Sequence, residues 1–394
     1  MNFIFISPHY PEHFREFTTR LKDRGVNVLG IGDVPYSDRE GFMDGLTDYI
    51  YVDSLENYES VYRATASYIA RYGRIDYVES QNEYWLMLDA RLRSDFNIKT
   101  GPNSDELVKM NHKSRMKEAF KEAGVSCARY ILPSNLDEAI SFAAMVGYPV
   151  VIKPDKGVGA ADTHKLSSED EIRTFWKNKL DISYIEEEFV PGHIETFDGI
   201  TDSKSDVLVA LSQLQPVAPL EVVDRDSDVL SYCVDVPDDL RWAGERILKA
   251  FVVRNRFFHF EFFRLDEDRE GLGKKGSIVA LEVNMRAPGG YIPDEMNYAL
   301  DSDVYTIWAD SVIHDRCYMN CHFSHYVTHV GRKSSIDHRH SDEEIRERFG
   351  SNILMETEIP ALHAREIGDH VFLIRADSKE ERDNIISYML ERNN

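Results

Sequence analysis

Apolar runs of strand length alternate with stretches of helical periodicity along the first hundred residues. Residues 2–6 are apolar, residues 12–24 place apolar side chains at helical spacing, and residues 26–31 are apolar again. A strand, a helix and a second strand in this order indicate a βαβ unit and a parallel sheet. We therefore predict one α/β subdomain over residues 1–104.

The middle of the chain continues with a long helical stretch and several apolar strands. One uninterrupted helix is predicted over residues 105–123, because Asn103 can cap its start. A buried strand is predicted over residues 149–154, and further strands follow over 184–190 and 207–215.

The most informative pattern is a pair of apolar strands that carry polar side chains on one face. Within residues 257–263 and 278–286, successive side chains point to opposite faces of a sheet. The face predicted to be core consists of Phe258, Phe260, Phe262, Val279, Leu281, Val283 and Met285. The opposite face, called the polar patch below, consists of His259, Glu261, Glu282, Asn284 and Arg286.

Carboxylates on strands this apolar point to a bound cation. Burying a carboxylate costs several kcal/mol unless a cation or hydrogen-bond donors compensate it. Carboxylate and amide oxygens, with room left for phosphate oxygens, are ligands that suit Mg²⁺. A solvated sheet face would give the same alternation, so the pattern alone leaves both interpretations open.

A lysine and two glycines follow one of the predicted buried strands. Lys153 ends a Val- and Ile-rich strand, and Gly157 and Gly159 lie in the loop after it. Glycine lets the backbone approach a ligand closely, and a strand end with a positive group can hold a phosphate. Most such loops are ordinary turns, and a helix lysine such as Lys113 is usually solvated.

The segment Asn82-Glu83-Tyr84-Trp85 follows a predicted strand over residues 75–79. Ligand sites in open sheets lie at the carboxyl ends of strands, so this segment can border a substrate pocket. Packing alone is an equally good explanation of Trp85.

Composition and charge narrow the class of protein. The 394 residues are 42% apolar, which suits two or three packed subdomains. Acidic residues outnumber basic ones, 69 to 46, and a net charge of -23 repels nucleic-acid phosphates. The four cysteines are sparse, no apolar run reaches the ~20 residues of a membrane span, and no signal-peptide pattern is seen. We expect a cytoplasmic protein without a nucleic-acid or membrane partner.

A cluster of cysteines and histidines raises zinc binding as an alternative. Cys317 and Cys321 have a tolerable ligand spacing, and several histidines lie nearby in sequence. There is no second cysteine pair, and the segment is apolar enough to pack as core, so structural cysteines and histidines are the favoured interpretation.

Taken in order, these segments resemble the ATP-grasp superfamily, and most closely its carboxylate–amine ligase branch with dipeptide-forming L-amino-acid ligases. The resemblance covers roughly residues 75–330. It implies an α/β fold with an N-terminal parallel-sheet pre-grasp subdomain, a small lid subdomain and a large mixed-sheet subdomain. The implied boundaries, with a C-terminal α/β extension last, are 1–104, 105–195, 196–330 and 331–394.

The resemblance also implies a role for each matching residue. It assigns nucleotide binding to residues of the helix, the lid and the adenine-binding hinge: Lys113, Lys153, Gly157, Gly159, Glu187, Phe189, Val190 and Glu195. Among them, Lys113 and Lys153 match the phosphate lysines and Glu195 matches the ribose-binding acid. It assigns Mg²⁺, for which Mn²⁺ can substitute, to Glu261, Glu282 and Asn284. It assigns the transferring phosphate and the substrate to Arg286, Gly289 and Gly290, with Arg286 and Lys153 as catalytic residues.

The sequence departs from the superfamily pattern in the glycine loop and in the hairpin. Ala160 stands where the family loop often has Ser, and Asp162 stands near an expected Gly. A carboxylate near phosphates is unfavourable, so Asp162 must point away or the lid must close differently. The hairpin connection 264–277 is long, which bears on the pairing of Glu261 with Glu282.

The function implied is an ATP-dependent ligase that joins a carboxylate, such as that of an amino acid, to an amine through an acyl phosphate, releasing ADP and phosphate. An ATP-grasp carboxylase, a carboxylate–thiol ligase and a non-catalytic ATP-binding regulatory protein remain alternatives. The sequence identifies neither substrate nor a general base for the amine. A homodimer is the expected assembly only because twofold dimers are the commonest.

Overall fold

Three β-sheets, taken over the described residues, organise the chain. The computed structural model describes residues 1–38, 40–157, 162–217, 227–360, 364 and 367–393. The sheets are called the N-terminal, small and large sheets below. The α/β class with a parallel first sheet, predicted from the sequence, is confirmed.

The N-terminal sheet is parallel, with strand order β3-β2-β1-β4. Its elements are β1 Asn2–Ile6, α1 Arg15–Asp23, β2 Asn27–Gly32, β3 Asp48–Tyr51, α2 Tyr58–Tyr72, β4 Tyr77–Glu79 and α3 Leu86–Asp95. Gln81 lies just beyond the carboxyl end of β4 in the left-handed backbone region, with φ 56°. A non-glycine residue in that region costs free energy, and such residues concentrate at functional sites.

The prediction of one uninterrupted helix over residues 105–123 is wrong. It is divided into α4, Ser104–Asn111, and α5, Lys113–Glu122, by His112 in an extended conformation. The cause lies in the small sheet, because Asp155 caps the start of α5. Its carbonyl oxygen accepts from Lys113 N at 2.8 Å, and its carboxylate accepts from Ser114 N at 2.8 Å and from the Ser114 hydroxyl at 3.0 Å.

The small sheet is antiparallel, with strand order β5-β8-β6-β7. Its elements are β5 Tyr130–Ile131, α6 Leu136–Val146, β6 Val150–Pro154, β7 His164–Leu166, α7 Glu169–Asn178 and β8 Tyr184–Glu188. Residues of α6 and α7 form an apolar cluster with Tyr184 on one face. The register places Lys153 and Glu187 on the opposite face.

The large sheet has eight strands among the described residues, in the order β13-β12-β9-β10-β11-β14-β16-β15. Neighbouring strands are antiparallel, and Cys127 adds a parallel bridge to Ala280 at one edge. Its strands are β9 Gly192–Thr201, β10 Val207–Gln215, β11 Val229–Val234, β12 Phe257–Leu265, β13 Ile278–Asn284, β14 Tyr326–Arg332, β15 Ile353–Glu358 and β16 His370–Ala376. Its helices are α8 Asp238–Phe251, α9 Ile292–Leu300, α10 Val304–His314, α11 Asp342–Phe349 and α12 Lys379–Met389. None of the helices in the described ranges is long and apolar enough to cross a bilayer.

The hairpin of β12 and β13 keeps its predicted polar face but not the whole of its predicted core face. Glu261 lies directly opposite Glu282, but the next pair joins Phe262 to Ala280, so Leu281 is an extra residue in a β-bulge. A bulge reverses the alternation beyond it. Ala280 therefore packs in the core with Val283 and Met285, whereas Val279 packs in a separate cluster on the other face. The assignment of Val279 and Leu281 to one core face with Val283 was wrong.

Candidate active site

Lysines from two elements meet the carboxylates of the large sheet. Lys113, the first residue of α5, has its Nζ 3.9 Å from Glu282 Oε1 and 3.3 Å from the carbonyl oxygen of Gly157. Lys153, near the end of β6, contributes to the electrostatic environment of both Glu261 and Glu282. All of these side chains are largely buried. The structure thus brings together predicted site residues that are far apart in sequence.

The carboxylate pair has the donor set that a hard divalent cation requires. Burial raises the pKa of Glu282, and the neighbouring Glu261 raises it further, against the effect of Lys113. Burial also raises the pKa of Glu261, but His259 and Arg286 lower it by more, so its net pKa lies below the ordinary value. Asn284 follows Glu282 by two residues on β13, so it lies on the same face and directly opposite His259. Two acidic groups this close favour a cation between them, which is consistent with the Mg²⁺ ligand prediction.

Over the part of the chain that the structure describes, no group of three or more His, Cys, Asp or Glu side chains could hold a metal ion. A site with two carboxylates and one amide must take its remaining ligands from water or from phosphate oxygens. Mg²⁺ binds in this way, since it keeps several waters and uses few protein carboxylates together with substrate phosphates. In the segment considered for zinc, Cys317 and Cys321 both donate to the carbonyl oxygen of Met319.

Arg286 is paired with an acid from the N-terminal subdomain. Its Nη2 donates to Glu83 Oε2, and the adjacent Ala287 N donates to Gln81 Oε1 at 3.0 Å. Gln81 is buried and its Nε2 has no hydrogen-bond partner among the described residues. The segment after β4 therefore contacts the substrate end of the predicted site, whereas Trp85 packs against the N-terminal core.

Lys117 is a buried lysine that the sequence analysis did not single out. Its Nζ lies 3.2 Å from Glu187 Oε2, while Lys153 Nζ lies 3.2 Å from Glu187 Oε1. Burial raises the pKa of Glu187, but the two lysines lower it by more, so its net pKa lies below the ordinary value. One carboxylate between two ammonium groups leaves an excess of positive charge, and buried charge of this kind favours an anionic ligand. Lys117 follows Lys113 by one helical turn, and this spacing was the signal in the sequence that could have identified it.

His259 and Asp198 form a second unanticipated feature of the polar patch. His259 Nδ1 lies 2.6 Å from Asp198 Oδ1, and His259 Nε2 lies 3.4 Å from Glu261 Oε1. Burial lowers the pKa of His259, but Asp198 and Glu261 raise it by more, to about 10. The polar patch thus continues from β12 onto β9.

Glu195 is not brought to the polar patch. It lies opposite Phe262 across β9 and β12, on the face away from Glu261. Its carboxylate accepts from Arg264 Nε and Nη2, both at 2.7 Å. Its predicted ribose contact stays a prediction that this geometry does not support.

The remaining predicted residues surround the site at different depths. Val190 is buried beside Leu265 and Val279, and Lys165 Nζ lies 4.1 Å above the Phe189 ring. Gly289 and Gly290, three and four residues after Arg286, are exposed. Gly159 and Ala160 lie outside the described residues.

Asp162 points to a polar partner on the helix-covered side of the small sheet. Its carboxylate accepts from the Tyr184 hydroxyl and lies 2.6 Å from His164 Nε2. The register puts Tyr184 on the face opposite Lys153. The carboxylate is thereby directed away from the lysines, which is one of the two alternatives left open by the sequence analysis.

The three sheets form the ATP-grasp fold, and the resemblance of this chain to that superfamily is confirmed. Residues 112–197 match the family model of the carbamoyl-phosphate synthase L chain, ATP binding domain. This segment contains Lys113, Lys153 and Glu187.

Two relatives show how far the similarity extends along the sequence. The L-arginine-specific L-amino acid ligase of Bacillus subtilis is 22% identical over 306 residues, which are 74% of this chain and 70% of that protein. The carbamoyl phosphate synthase large chain of Neisseria gonorrhoeae is 23% identical over 194 residues. That match covers 47% of this chain but 18% of that protein, so it concerns a part of the synthase.

Two solved structures share the fold over nearly the whole chain. L-amino acid ligase from Bacillus licheniformis superposes with a TM-score of 0.70 at 12% identity, covering 98% of this chain and 96% of that one. The biotin carboxylase domain of the Hydrogenobacter thermophilus 2-oxoglutarate carboxylase, in complex with MgADP, ADP and bicarbonate, gives 0.70 at 15% identity. The latter alignment covers 99% of this chain and 90% of that one.

Proposed function

We propose that this protein is a ligase that uses Mg²⁺ and ATP to join the carboxylate of an amino acid to an amine. The carboxylate is converted to an acyl phosphate, and ADP and phosphate are released. The observation that carries the proposal is the convergence of buried lysines, the Glu261–Glu282 pair and the oppositely charged pair Arg286–Glu83. The lysines and the carboxylate pair could neutralise the charges of MgATP, and the Arg286–Glu83 pair beside them could hold the substrate.

The lysines and the carboxylate pair serve the nucleotide. Lys113 and Lys153 supply fixed positive charge where the phosphates approach the substrate carboxylate, which lowers the repulsion between two anions. Mg²⁺ held by Glu261, Glu282 and Asn284 would neutralise further phosphate charge during transfer. Burial strengthens each of these interactions, because water does not screen them.

The pair Arg286–Glu83 supports an amino acid as the carboxylate substrate. The planar guanidinium of Arg286 can hold two oxygens of a carboxylate, and Glu83 beside it can accept from an ammonium group. A zwitterion offers both charges at the spacing of one α-carbon, so it can replace this ion pair with two of its own. Gly289 and Gly290 follow Arg286 by three and four residues, and with no side chain of their own and open space around them their backbone N–H groups are accessible to a ligand.

Once the carboxylate is phosphorylated, phosphate becomes the leaving group for attack by the amine. Arg286 stays beside the acyl carbon and balances the developing negative charge of that step. The branch of the superfamily that forms amide bonds is supported by the similarity to L-amino acid ligases over most of the chain. The carboxylase alternative shares the fold, as the biotin carboxylase domain does, and differs in its carboxylate substrate. We further propose a cytoplasmic location and a homodimer, both carried over from the sequence.

An ADP-release screen tests the proposal. Purified protein with MgATP is incubated with single amino acids, amino-acid pairs and bicarbonate, and hydroxylamine is added to trap any acyl phosphate as a hydroxamate. The expected result is ADP release that depends on an amino acid, together with a hydroxamate. ADP release with bicarbonate alone favours the carboxylase, and nucleotide binding without turnover of any acid favours a regulatory protein.

Two variants tie turnover to the proposed residues. Glu282→Ala and Arg286→Ala are expected to lose substrate-dependent ADP release, because the first removes a proposed metal ligand and the second removes the guanidinium proposed to hold the substrate carboxylate and the transferring phosphate. Release above about a tenth of wild type in either folded variant contradicts the site. Arg115→Ala is the matched control, since Arg115 is an exposed arginine of α5 paired with Glu118.

A further inference from the structure

Four polar side chains form a rectangle on one face of β9 and β12. In the register of these strands, Asp198 lies opposite His259, and Thr196 lies opposite Glu261. Directly opposed side chains on one sheet face are close enough to interact. The two β9 residues are fully buried, whereas Glu261 keeps some exposure toward the predicted metal site.

Asp198 is hydrogen-bonded to Thr196 of its own strand, and Thr196 is hydrogen-bonded to β10. The Thr196 hydroxyl donates to Asp198 Oδ2, and the same hydroxyl oxygen accepts from Gln213 N at 3.0 Å. A buried carboxylate accepts hydrogen bonds and cannot donate when ionised, so the His259 nitrogen at 2.6 Å must carry the proton that it donates. The orientation of the imidazole ring is thereby fixed.

With Nδ1 directed at Asp198, the opposite ring edge faces the predicted metal ligand. His259 Nε2 lies 3.4 Å from Glu261 Oε1, whereas Asp198 bonds to Thr196 and to the other nitrogen of the ring. A glutamate has three side-chain torsions, so a carboxylate that must meet a metal at a fixed position gains from one restrained oxygen. Arg286 and Lys153 also lower the pKa of Glu261, so their positive charges act on the same carboxylate.

We propose that His259 is a positioning residue, which Asp198 and Thr196 orient and which in turn holds Glu261 in place to bind the divalent cation. The proposal rests on the proposed function, because it needs Glu261 to be a metal ligand. Outer residues that orient metal ligands typically change metal affinity by about 10–100-fold when they are replaced. The sequence contains the pair as His259-Phe260-Glu261, and the function proposed above gives the histidine no role of its own.

Two replacements of His259 separate its two contacts. The amide nitrogen of asparagine occupies the place of Nδ1, so His259→Asn keeps the donor to Asp198 and loses the contact with Glu261. The amide nitrogen of glutamine occupies the place of Nε2, so His259→Gln keeps the contact with Glu261 and leaves Asp198 Oδ1 without its donor. His329→Asn is the matched control, because His329 is a buried histidine on β14, beyond β10 and β11, and bonds to the Ile367 carbonyl oxygen.

The measurement is binding of Mn²⁺ in the presence of saturating ADP, followed by the electron paramagnetic resonance signal of free Mn²⁺, with thermal unfolding recorded for each variant. We expect His259→Asn to bind Mn²⁺ about tenfold more weakly than wild type, with ADP affinity in the absence of metal unchanged. His259→Gln should bind Mn²⁺ more tightly than His259→Asn but unfold at a lower temperature. The control should bind Mn²⁺ as wild type does.

Two outcomes overturn the proposal, and they differ from failure of the proposed function. Wild-type Mn²⁺ affinity in folded His259→Asn shows that the histidine does not position the ligand. Equal losses in both variants, in step with their loss of thermal stability, show a role in folding alone. If wild-type protein itself shows no ADP-dependent Mn²⁺ binding, the proposed function fails before the role of His259 is tested.

Discussion

At the scale of single residues, the contact between Arg286 and Glu83 is the most specific feature of the candidate site. The two residues are 203 positions apart, and each is largely buried. An ion pair in this environment is stable only while both partners are satisfied, because removal of one leaves a buried charge. If the proposed function is right, we expect a substrate that displaces this contact to supply both a negative and a positive group.

Glu83→Gln tests whether the substrate carries an ammonium group. The amide cannot balance a positive charge, so we expect the KM for the amino acid to rise roughly 10–100-fold while the KM for ATP stays the same. Steady-state kinetics of ADP release measure both constants.

The control for this variant is Glu118→Gln, which changes an exposed glutamate paired with Arg115 and should leave both constants unchanged. An unchanged amino-acid KM in Glu83→Gln would show that the substrate is recognised by its carboxylate alone.

At the scale of elements, β8 shows how one strand places three successive glutamates in three environments. Glu186, Glu187 and Glu188 are all buried, although three glutamates in a row suggest a solvent-facing edge. Alternation sends Glu187 to the lysines, and Glu188 accepts from Arg129 at 2.6 Å. Glu186 points to the helix-covered face, where neither of its oxygens has a hydrogen-bond partner among the described residues.

Burial raises the pKa of Glu186 from its ordinary 4.5 to about 8. Between these values the folded chain holds a proton that the unfolded chain has lost, so wild-type stability falls as the pH rises through this window. Glu186→Met removes the carboxyl group at nearly constant volume. We expect its free energy of unfolding to exceed that of wild type by on the order of 2 kcal/mol at pH 8, with a smaller difference at pH 6.

Denaturant unfolding at the two pH values measures this difference. Glu171→Met, at an exposed position of α7 in the same subdomain, controls for the substitution itself. A gap between Glu186→Met and wild type that does not widen with pH would contradict a neutral buried acid.

The break between α4 and α5 is a second feature of element scale with a consequence for the site. Asp155 caps α5 and follows the strand that carries Lys153, so it fixes Lys113 relative to Lys153. Asp155→Ala is expected to lower the free energy of unfolding by about 1–2 kcal/mol and to weaken ADP binding roughly tenfold. Isothermal titration calorimetry measures the affinity.

Ser341→Ala is the matched control for this prediction, because Ser341 caps α11 away from the site. It should cost similar stability and leave ADP affinity unchanged. If Asp155→Ala lost stability but not affinity, the cap would serve folding only.

At the scale of the whole molecule, a buried charge network joins the N-terminal sheet to the large sheet. Glu79 lies at the end of β4, and its carboxylate contacts Arg256, which precedes β12. The same carboxylate lies 3.1 Å from Arg93 of α3. All three are nearly inaccessible to solvent. Glu79 lies four residues before Glu83, so the network fixes the segment that contacts Arg286.

Glu79→Gln leaves two buried arginines without their shared carboxylate. We expect the free energy of unfolding to fall by about 3–5 kcal/mol, as measured by denaturant unfolding. Glu59→Gln removes an exposed partner of Arg63 and should cost less than about 1 kcal/mol. Equal effects of the two variants would show that the network does not hold the subdomains together.

The sequence by itself determined the features that depend on short-range geometry. A strand turns its side chains over every two residues, so the alternation in β12 and β13 was enough to place His259, Glu261, Glu282 and Asn284 on one face. The parallel order of the first subdomain followed from the same local periodicity.

Only the tertiary structure decided which side chains face one another. The bulge at Leu281 depends on how β13 pairs with β12, and the break at His112 depends on Asp155, which follows β6 of the small sheet. Lys117 looks like any helix lysine until α5 packs beside Glu187. The direction of a side chain from its strand or helix is a local property, but burial and charge partners arise from contacts between segments that are distant in sequence, which no local pattern contains.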